Sequence, residues 1–371
     1  MIIFKKNTKS HSRFFSIDFL RGLTIFLMIV VNTPGSWNFV YSPLKHSIWH
    51  GCTLADLVFP SFIFLIGLSM SISVLKSDNK LFFKKIFKRS ILIFLIGFLL
   101  NWFPFFNSDI ENVRVLGVLQ RIAFSYFIAS ILILFLNKTK LILLSSFFLL
   151  IVHWVILFVF GASEPYSLSG NISQNIDGFF FSKSQIYQGF GVPFDPEGIL
   201  GALSSSAQLL FGFIIGRYLF IEQQAQKNKL VFLFFLSILM ILISLSLNIY
   251  YPINKPLWTG TYVFFSSSII LIFLIFSVFI IDLKQKKQYF FFFFVFGRNP
   301  LFNYVLSIFF LKINLFLIKV EGESLNNWLY SSFFSPYFEP YFASLLFSIS
   351  FALFVWVFSF ILFLNKKIIK I

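Results

Sequence analysis

The 371-residue chain is poor in charge, above all in charge of one sign: 14 Asp and Glu stand against 30 Lys and Arg, together 12% of the residues. With 58% hydrophobic residues and a mean hydropathy of +0.87, it falls well short of the roughly 25% charged residues of a soluble domain. Water as the solvent on every side is excluded. Cysteine is almost absent. The single Cys52 rules out an intrachain disulfide, and the four histidines show no Cys/His spacing of a zinc site. No segment repeats at a fixed period, which removes solenoids and arrays.

What the chain has is phenylalanine, 60 residues of it, mostly in long apolar runs with no recurring polar face. Helices of that kind meet lipid all round. Apolar stretches near 17–33, 53–75, 90–107, 115–136, 140–161, 198–220, 229–250, 257–281, 289–311 and 341–364 are each close to the length that crosses ~30 Å of hydrocarbon. The sequence therefore predicts an all-α, polytopic integral membrane protein with about ten transmembrane helices.

Alternating these spans from a cytoplasmic N-terminus puts twenty Lys and Arg on the inside, among them Lys5, Lys6, Lys9, Arg13, Lys76, Lys80, Lys287 and Lys370. The outside receives six: Lys45, Arg114, Lys183, Lys255, Lys312 and Lys319. This asymmetry predicts that both termini are cytoplasmic. It also accounts for the net charge of +16 without nucleic acid as a partner.

The expected organisation is a basic tail over 1–16, one transmembrane domain over 17–365 and a basic tail over 366–371. Outer loops fall near 34–52, 162–197 and 312–340. The first span carries Asp18 and Arg21 and no small-residue cleavage site follows it, so it reads as retained rather than as a signal peptide. The tripeptide NIS at 171–173 formally matches a glycosylation site, but it is too common to assign a compartment.

Function should lie where polar residues interrupt the apolar background, because intramembrane charge persists mainly where it is paired or used. Asp18 and Arg21, three apart on one helix face, can pair as an interfacial anchor; alternatively Arg21 faces a cavity and binds an anion while Asn32 orients a reacting group. In KHSIWHGCTLADLVFP, residues 45–60, His46 and His50 stand four apart with Asp56 close behind. A neutral imidazole accepts protons near pH 7, and a carboxylate partner would fix its tautomer and raise its basicity. Interfacial polar residues beside Trp49 are the bland alternative, and a metal pair lacks a third ligand. His153 and His11 read as structural or solvated.

Farther on, Gln120 with Arg121 and Arg298 with Asn299 put donors inside spans, where the guanidinium fork suits phosphate or carboxylate. Asp195 and Glu197 precede a helix, where carboxylates also serve as ordinary N-terminal caps.

The blocks SIDFLRGLTIFLMIVVNTPG, LKHSIWHGCTLADLVFPSFIFLIG, GVLQRIAFSYF, FDPEGILG, NKPLWTGTYV and GRNPLFNYV, taken in order, resemble the signatures of the transmembrane acetyltransferases typified by heparan-α-glucosaminide N-acetyltransferase and its bacterial relatives. The resemblance implies transfer of an acetyl group from cytoplasmic acetyl-CoA, a co-substrate, to an amino sugar on the far side. It implies that His46 is the active-site histidine and Asn32 the first-helix asparagine; the residues themselves offer Asp56 as the partner of His46 and no metal site. His50 departs from the lysosomal branch, where that position looks like Asn. The first helix is also similar to a broader acyltransferase family that modifies envelope sugars, but those usually end it with His where Asn32 stands.

On this reading Arg21, Arg121, Arg217 and Arg298 are the candidates for the cofactor's phosphates. His50, Gln120, Asp195, Glu197, Lys255, Trp258 and Asn299 are the candidates for the saccharide acceptor. His46 would act as general base or carry the acetyl group transiently. Membrane lipid is the expected surrounding, a homodimer is left open, and short loops with uncleaved spans favour a bacterial inner membrane. Two other classes stay open: an envelope-polysaccharide O-acyltransferase, and a secondary transporter, which commonly shows the internal repeats this chain lacks.

Overall fold

A computed structural model describes residues 14–73, 79–106, 109–136, 138–221 and 225–369. Lys5, Lys6, Lys9, His11, Arg13, Lys76 and Lys370 lie outside the described residues.

The long helices are α1 (Phe15–Asn32), α2 (Leu54–Ser73), α3 (Asn79–Trp102), α4 (Val118–Phe135) and α5 (Thr139–Phe160). A short helix α6 (Ser173–Phe180) interrupts the long loop before α7 (Gly201–Phe220), α8 (Gln226–Leu247) and α9 (Gly260–Ser277), the last continued by a wider turn over Val278–Leu283. Then come α10 (Phe291–Arg298), α11 (Pro300–Lys312), a two-stranded hairpin β1 (Lys319–Val320) and β2 (Glu323–Ser324), α12 (Leu325–Phe333) and α13 (Pro340–Leu364).

Nine helices among the described residues are long and apolar enough to cross a membrane. α3 is long enough as well, but Lys84, Lys85, Lys88 and Arg89 crowd its first half. The protein is thus an all-α polytopic membrane protein. α8 and α5 are among the most apolar spans, at mean hydropathies of 2.9 and 2.7 over their most apolar 18 residues, yet only 28% and 33% of those stretches are buried. That inverts the rule for soluble helices and is what a lipid solvent dictates.

Inside the bundle, α1, α2, α4, α7 and α9 pack together, with α3 on α4 and with α10, α11 and α13 on the far side of α1. Lipid supplies little hydrophobic drive between helices, so close approach through small residues does the packing. α2 and α7 meet backbone to backbone: a Cβ on Gly67 would fall 1.8 Å from the Leu209 carbonyl oxygen, and one on Gly212 2.0 Å from that of Phe64. Buried serines satisfy themselves on the preceding turn, as Ser206 donates to the Ala202 carbonyl at 2.6 Å.

The span expected at 289–311 is two helices. Pro300 has no N–H and bars the helical conformation at the residue before it, so Asn299 turns out at φ −132°, ψ 54°. α10 ends there, α11 starts afresh, and the membrane-crossing stretch moves to Pro300–Leu317. Asn299 is not idle in the gap: its amide donates to the Lys367 carbonyl at 3.2 Å and accepts from the Ile369 N–H at 2.8 Å.

The start of α1, the end of the α9 extension and the end of α13 gather at one end of the bundle. The Phe15 N–H donates to Asp282 at 3.0 Å, Lys287 lies over the Phe15 ring and Arg298 over the Phe363 ring. The first and last described residues thus share an end. The loops 33–53, 161–200 and 248–259 collect at the other.

Candidate active site

The site forms at the loop-rich end, where α2 begins. Thr53 and Asp56 make one half of a capping box: Asp56 is the third residue from the cap, and its Oδ2 accepts the Thr53 N–H at 3.0 Å. The same oxygen accepts the Ser47 N–H at 3.0 Å and the Thr53 hydroxyl at 3.1 Å. This draws the 45–53 loop over the helix and buries Asp56 completely. Its other oxygen, Oδ1, lies 2.7 Å from His46 Nδ1 and 3.2 Å from Lys255 Nζ. Lys255 Nζ is also 3.0 Å from His46 Nδ1.

Since Oδ1 is an acceptor only, Nδ1 carries the imidazole proton toward it, and Lys255 serves the carboxylate. Nε2 of His46 is then the bare acceptor. The His46 side chain is 46% exposed, so this nitrogen is reachable.

Lys255 reaches the pair because its loop is stapled to the 49–51 segment. Gly51 N–H donates to the Ile253 carbonyl at 2.8 Å, and the Asn254 amide donates to the Trp49 carbonyl at 3.0 Å. Asn254 Oδ1 accepts the Leu257 N–H at 2.7 Å, closing the turn. From α9 the Tyr262 hydroxyl donates to the Asp56 carbonyl at 2.6 Å.

His46, Asp56 and Lys255 face a cavity of about 260 Å³ whose other walls include Asn32, Phe59, Arg114, Tyr187, Phe190 and Glu197. Arg114 organises the opposite wall. Its Nε and Nη2 grip Asp195 at 2.9 and 2.6 Å, and Nη2 also reaches Glu197 Oε2 at 2.6 Å. Burial works against the Arg114 charge, but the Asp195 hydrogen bonds and the Glu197 charge outweigh it and hold its pKa above the ordinary value. Burial, with the Asp56 charge nearby, pushes the Cys52 thiol up to about 12, so no thiolate nucleophile competes with His46. In the same long loop, burial raises Asp177 to about 7, although its Oδ1 accepts the Ile199 N–H at 2.9 Å.

The structure brings His46, Asp56, Asn32, Lys255 and Glu197 to this cavity and sets Asp195 directly behind it. Other candidates lie elsewhere. His50 turns back to Asn254 at 3.3 Å, and burial lowers its pKa. Gln120 is enclosed by Gly97 and Gly117, between α3 and α4. Trp258 is buried beneath the loop and donates to Gln208 at 3.1 Å.

Arg121 sits at this same end rather than among the other arginines. It donates to the Pro196 and Gly198 carbonyls at 3.0 and 2.9 Å and lies 5.0 Å over the Trp258 ring, so it braces the 194–201 turn. Arg114, Tyr187 and Phe190 escaped sequence reading because they belong to no catalytic residue pattern. The one available signal was that Arg114 is the single arginine among six outer basic residues.

At the opposite end, a cavity of about 380 Å³ is bordered by Arg21, Arg89, Arg298, Asn299, Tyr126 and Ser69. Arg21 makes the expected pair with Asp18, at 3.6 Å. Arg89 lies 5.0 Å over the Tyr126 ring. Arg298 also borders a neighbouring cleft with Lys287 and Phe15. Arg217, over the Phe213 ring at 6.0 Å, lines neither.

The two cavities run along the same three helices. α1 contributes Met28 and Asn32 to one and Arg21 to the other; α2 contributes Asp56 and Phe59, then Phe62 and Leu65; α4 contributes Val118, then Ile122 and Tyr126. About one helical turn separates them on α2 and α4, and about two on α1. Among the described residues no group of three or more His, Cys, Asp or Glu could hold a metal ion.

Fold and site define a polytopic helical membrane protein with a His–Asp–Lys centre at one end of a seam and an arginine-bordered cavity at the other. A family model for the heparan-alpha-glucosaminide N-acetyltransferase catalytic region matches residues 13–175, which bears out the resemblance read from the sequence blocks. The chain is 27% identical to human heparan-alpha-glucosaminide N-acetyltransferase over 336 residues, 72% of this chain and 49% of that protein. The mouse protein of the same name is 29% identical over 343 residues, 74% of this chain and 50% of its own. The chain thus spans about half the length of these curated relatives.

Proposed function

We propose that this protein is an acetyltransferase that passes an acetyl group across the membrane, from acetyl-CoA docked at the Arg298 end to an amino sugar at the His46 end. The observation that carries the reading is the pair of cavities on one seam of α1, α2 and α4, one bordered by three arginines and the other by a histidine with its carboxylate. Anionic phosphates suit the first. The charge asymmetry of the loops assigns that end to the cytoplasm, where acetyl-CoA is made, and a bacterial inner membrane is the setting it fits best.

At the other end, His46 Nε2 is the acceptor that Asp56 leaves bare. In one route it takes the proton of the attacking amine while the new N–C bond forms and the thioester C–S bond breaks. In the other it attacks the thioester itself and hands the acetyl group on. Either way Asp56 stabilises the positive charge that develops on the ring.

The test is reconstitution in vesicles with labelled acetyl-CoA on one side and glucosamine on the other. Labelled N-acetylglucosamine on the glucosamine side alone is the expected result. Movement of intact solute without acetyl-CoA consumption would replace this reading with a transporter, and label appearing only on hydroxyl-bearing polysaccharide would replace it with an O-acyltransferase.

A further inference from the structure

The lipid side of α3 changes character along its length. The inner face is set by Ile86, Ser90, Ile93 and Gly97, all buried at helical spacing. A Cβ on Gly97 would fall 2.6 and 2.7 Å from the Gln120 and Leu119 side chains, so this face lies against α4. On the opposite side Lys84, Lys88, Leu92, Leu95 and Leu99 follow one another at spacings of three or four and form one exposed stripe. Phe83, Phe87 and Ile91 run exposed along one edge of it, and Lys85 lies exposed on the other.

The depth of the basic part follows from length. The helix has 24 residues, about 36 Å, which is more than ~30 Å of hydrocarbon. If it meets one face of the hydrocarbon at Trp102, it reaches the other about 20 residues earlier, beside Lys84 and Lys85. Arg89 marks the same level, since it borders the cavity of Arg21 and Arg298. The lysines thus stand where acyl chains give way to headgroups, with their stems on apolar surface and their ammonium groups turned outward. α3 contains no Asp or Glu, and among the described residues none pairs with Lys84, Lys85 or Lys88. Three neighbouring cations repel one another, and at that depth an anion from outside is the available relief. Free phosphate would answer the lysines and leave the apolar stripe beside them uncovered. A lipid with a negative headgroup answers both.

We propose that the first half of α3 is a binding site for an anionic phospholipid, with Lys84, Lys85 and Lys88 on its phosphate and Phe87, Ile91 and Leu92 along its acyl chains. The site lies across the helix from α4, so it stands or falls independently of the proposed acetyl transfer.

Lipid affinity of the purified full-length protein in detergent, read by native mass spectrometry, tests it. The probes are phosphatidylglycerol and phosphatidylcholine with identical chains. A basic residue near an anionic lipid surface contributes about fivefold, so three should hold phosphatidylglycerol about tenfold or more tightly than phosphatidylcholine. Replacing all three lysines, Lys84→Gln, Lys85→Gln and Lys88→Gln, should remove the preference and leave phosphatidylcholine binding as it was. Phe87→Ala should weaken both lipids by a similar factor. Should the triple variant fail to fold, the single Lys→Gln variants decide: each should cost phosphatidylglycerol up to about fivefold with phosphatidylcholine unmoved. Equal affinity for the two lipids, or a preference that survives the lysine replacements, overturns the assignment. Displacement of phosphatidylglycerol by millimolar inorganic phosphate would overturn it too, leaving an anion contact without a lipid site.

Discussion

Around His46, six ionisable side chains are joined by contacts of 2.6 to 3.2 Å: His46 and Lys255 on Asp56, and Arg114 on Asp195 and Glu197. Around Arg298 the cationic groups lean instead on aromatic faces at 4.8 to 5.1 Å, and Arg21 meets Asp18 only at 3.6 Å. Under the proposed function the difference separates two tasks. Bond-making needs groups held in place before the substrate arrives. Anion binding needs charge that can be handed over cheaply, and a cation–π contact at a partly wetted site contributes only about 0.5–1 kcal/mol. On that proposal phosphate would displace it at little loss.

The sharpest way to break this comparison is at His46. As general base or acyl carrier it should contribute roughly 100- to 10,000-fold to turnover, so His46→Ala should lose that much while membrane insertion and acetyl-CoA binding persist. Turnover per folded molecule is the quantity to measure; near-normal turnover with reduced yield would make His46 a structural residue.

Removing one cation from each end probes the contrast directly. Lys255→Met strips a fully buried carboxylate of its charged partner, and loss of such a pair costs about 3–5 kcal/mol. A clear drop in thermal stability in detergent is expected. Arg298→Ala should barely move stability but weaken acetyl-CoA binding by the ~1.5–3 kcal/mol of a charge-assisted contact, with the acceptor constant unchanged. If the two variants exchanged these effects, the division of labour would fail.

The smallest expected effect concerns Asp177. Its folded-state pKa of about 7 lies above the ordinary 3.8, so the native state holds a proton that the unfolded chain has released. Stability should therefore be highest below the ordinary value and decline as pH rises through 7. Asp177→Asn should flatten that slope. A pH–stability curve identical to the wild type would remove Asp177 as its source.

Much of this could be read in the sequence, for reasons that differ by region. The spans were legible because lipid imposes length and apolarity on each, and the His46–Asp56 pair because its members lie ten residues apart across one helix start. Lys255 was placed at the acceptor, but its contact with Asp56 depends on the Gly51–Ile253 staple between segments some 200 residues apart in the chain. Arg114 went unread for the same reason: its partners Asp195 and Glu197 come from a different loop. Arg121 was grouped with the phosphate-binding arginines on residue type alone, whereas its depth along α4 puts it behind the 194–201 turn. The break at Asn299 was visible as Asn-Pro, yet the unbroken phenylalanine run before it suggested one continuous helix.

That break gives residues 367–369 a part in the arginine-bordered cavity. Asn299 fills the gap between α10 and α11 and clasps Lys367 and Ile369, and Ile368 and Ile369 line the same hollow as Arg21 and Arg298. Residues 367–369 act as a hem sewn into the cavity wall. Shortening the chain before Lys367 would leave Asn299 without its two backbone partners and open the hollow on that side, and a bulky affinity tag joined near residue 369 would crowd its rim.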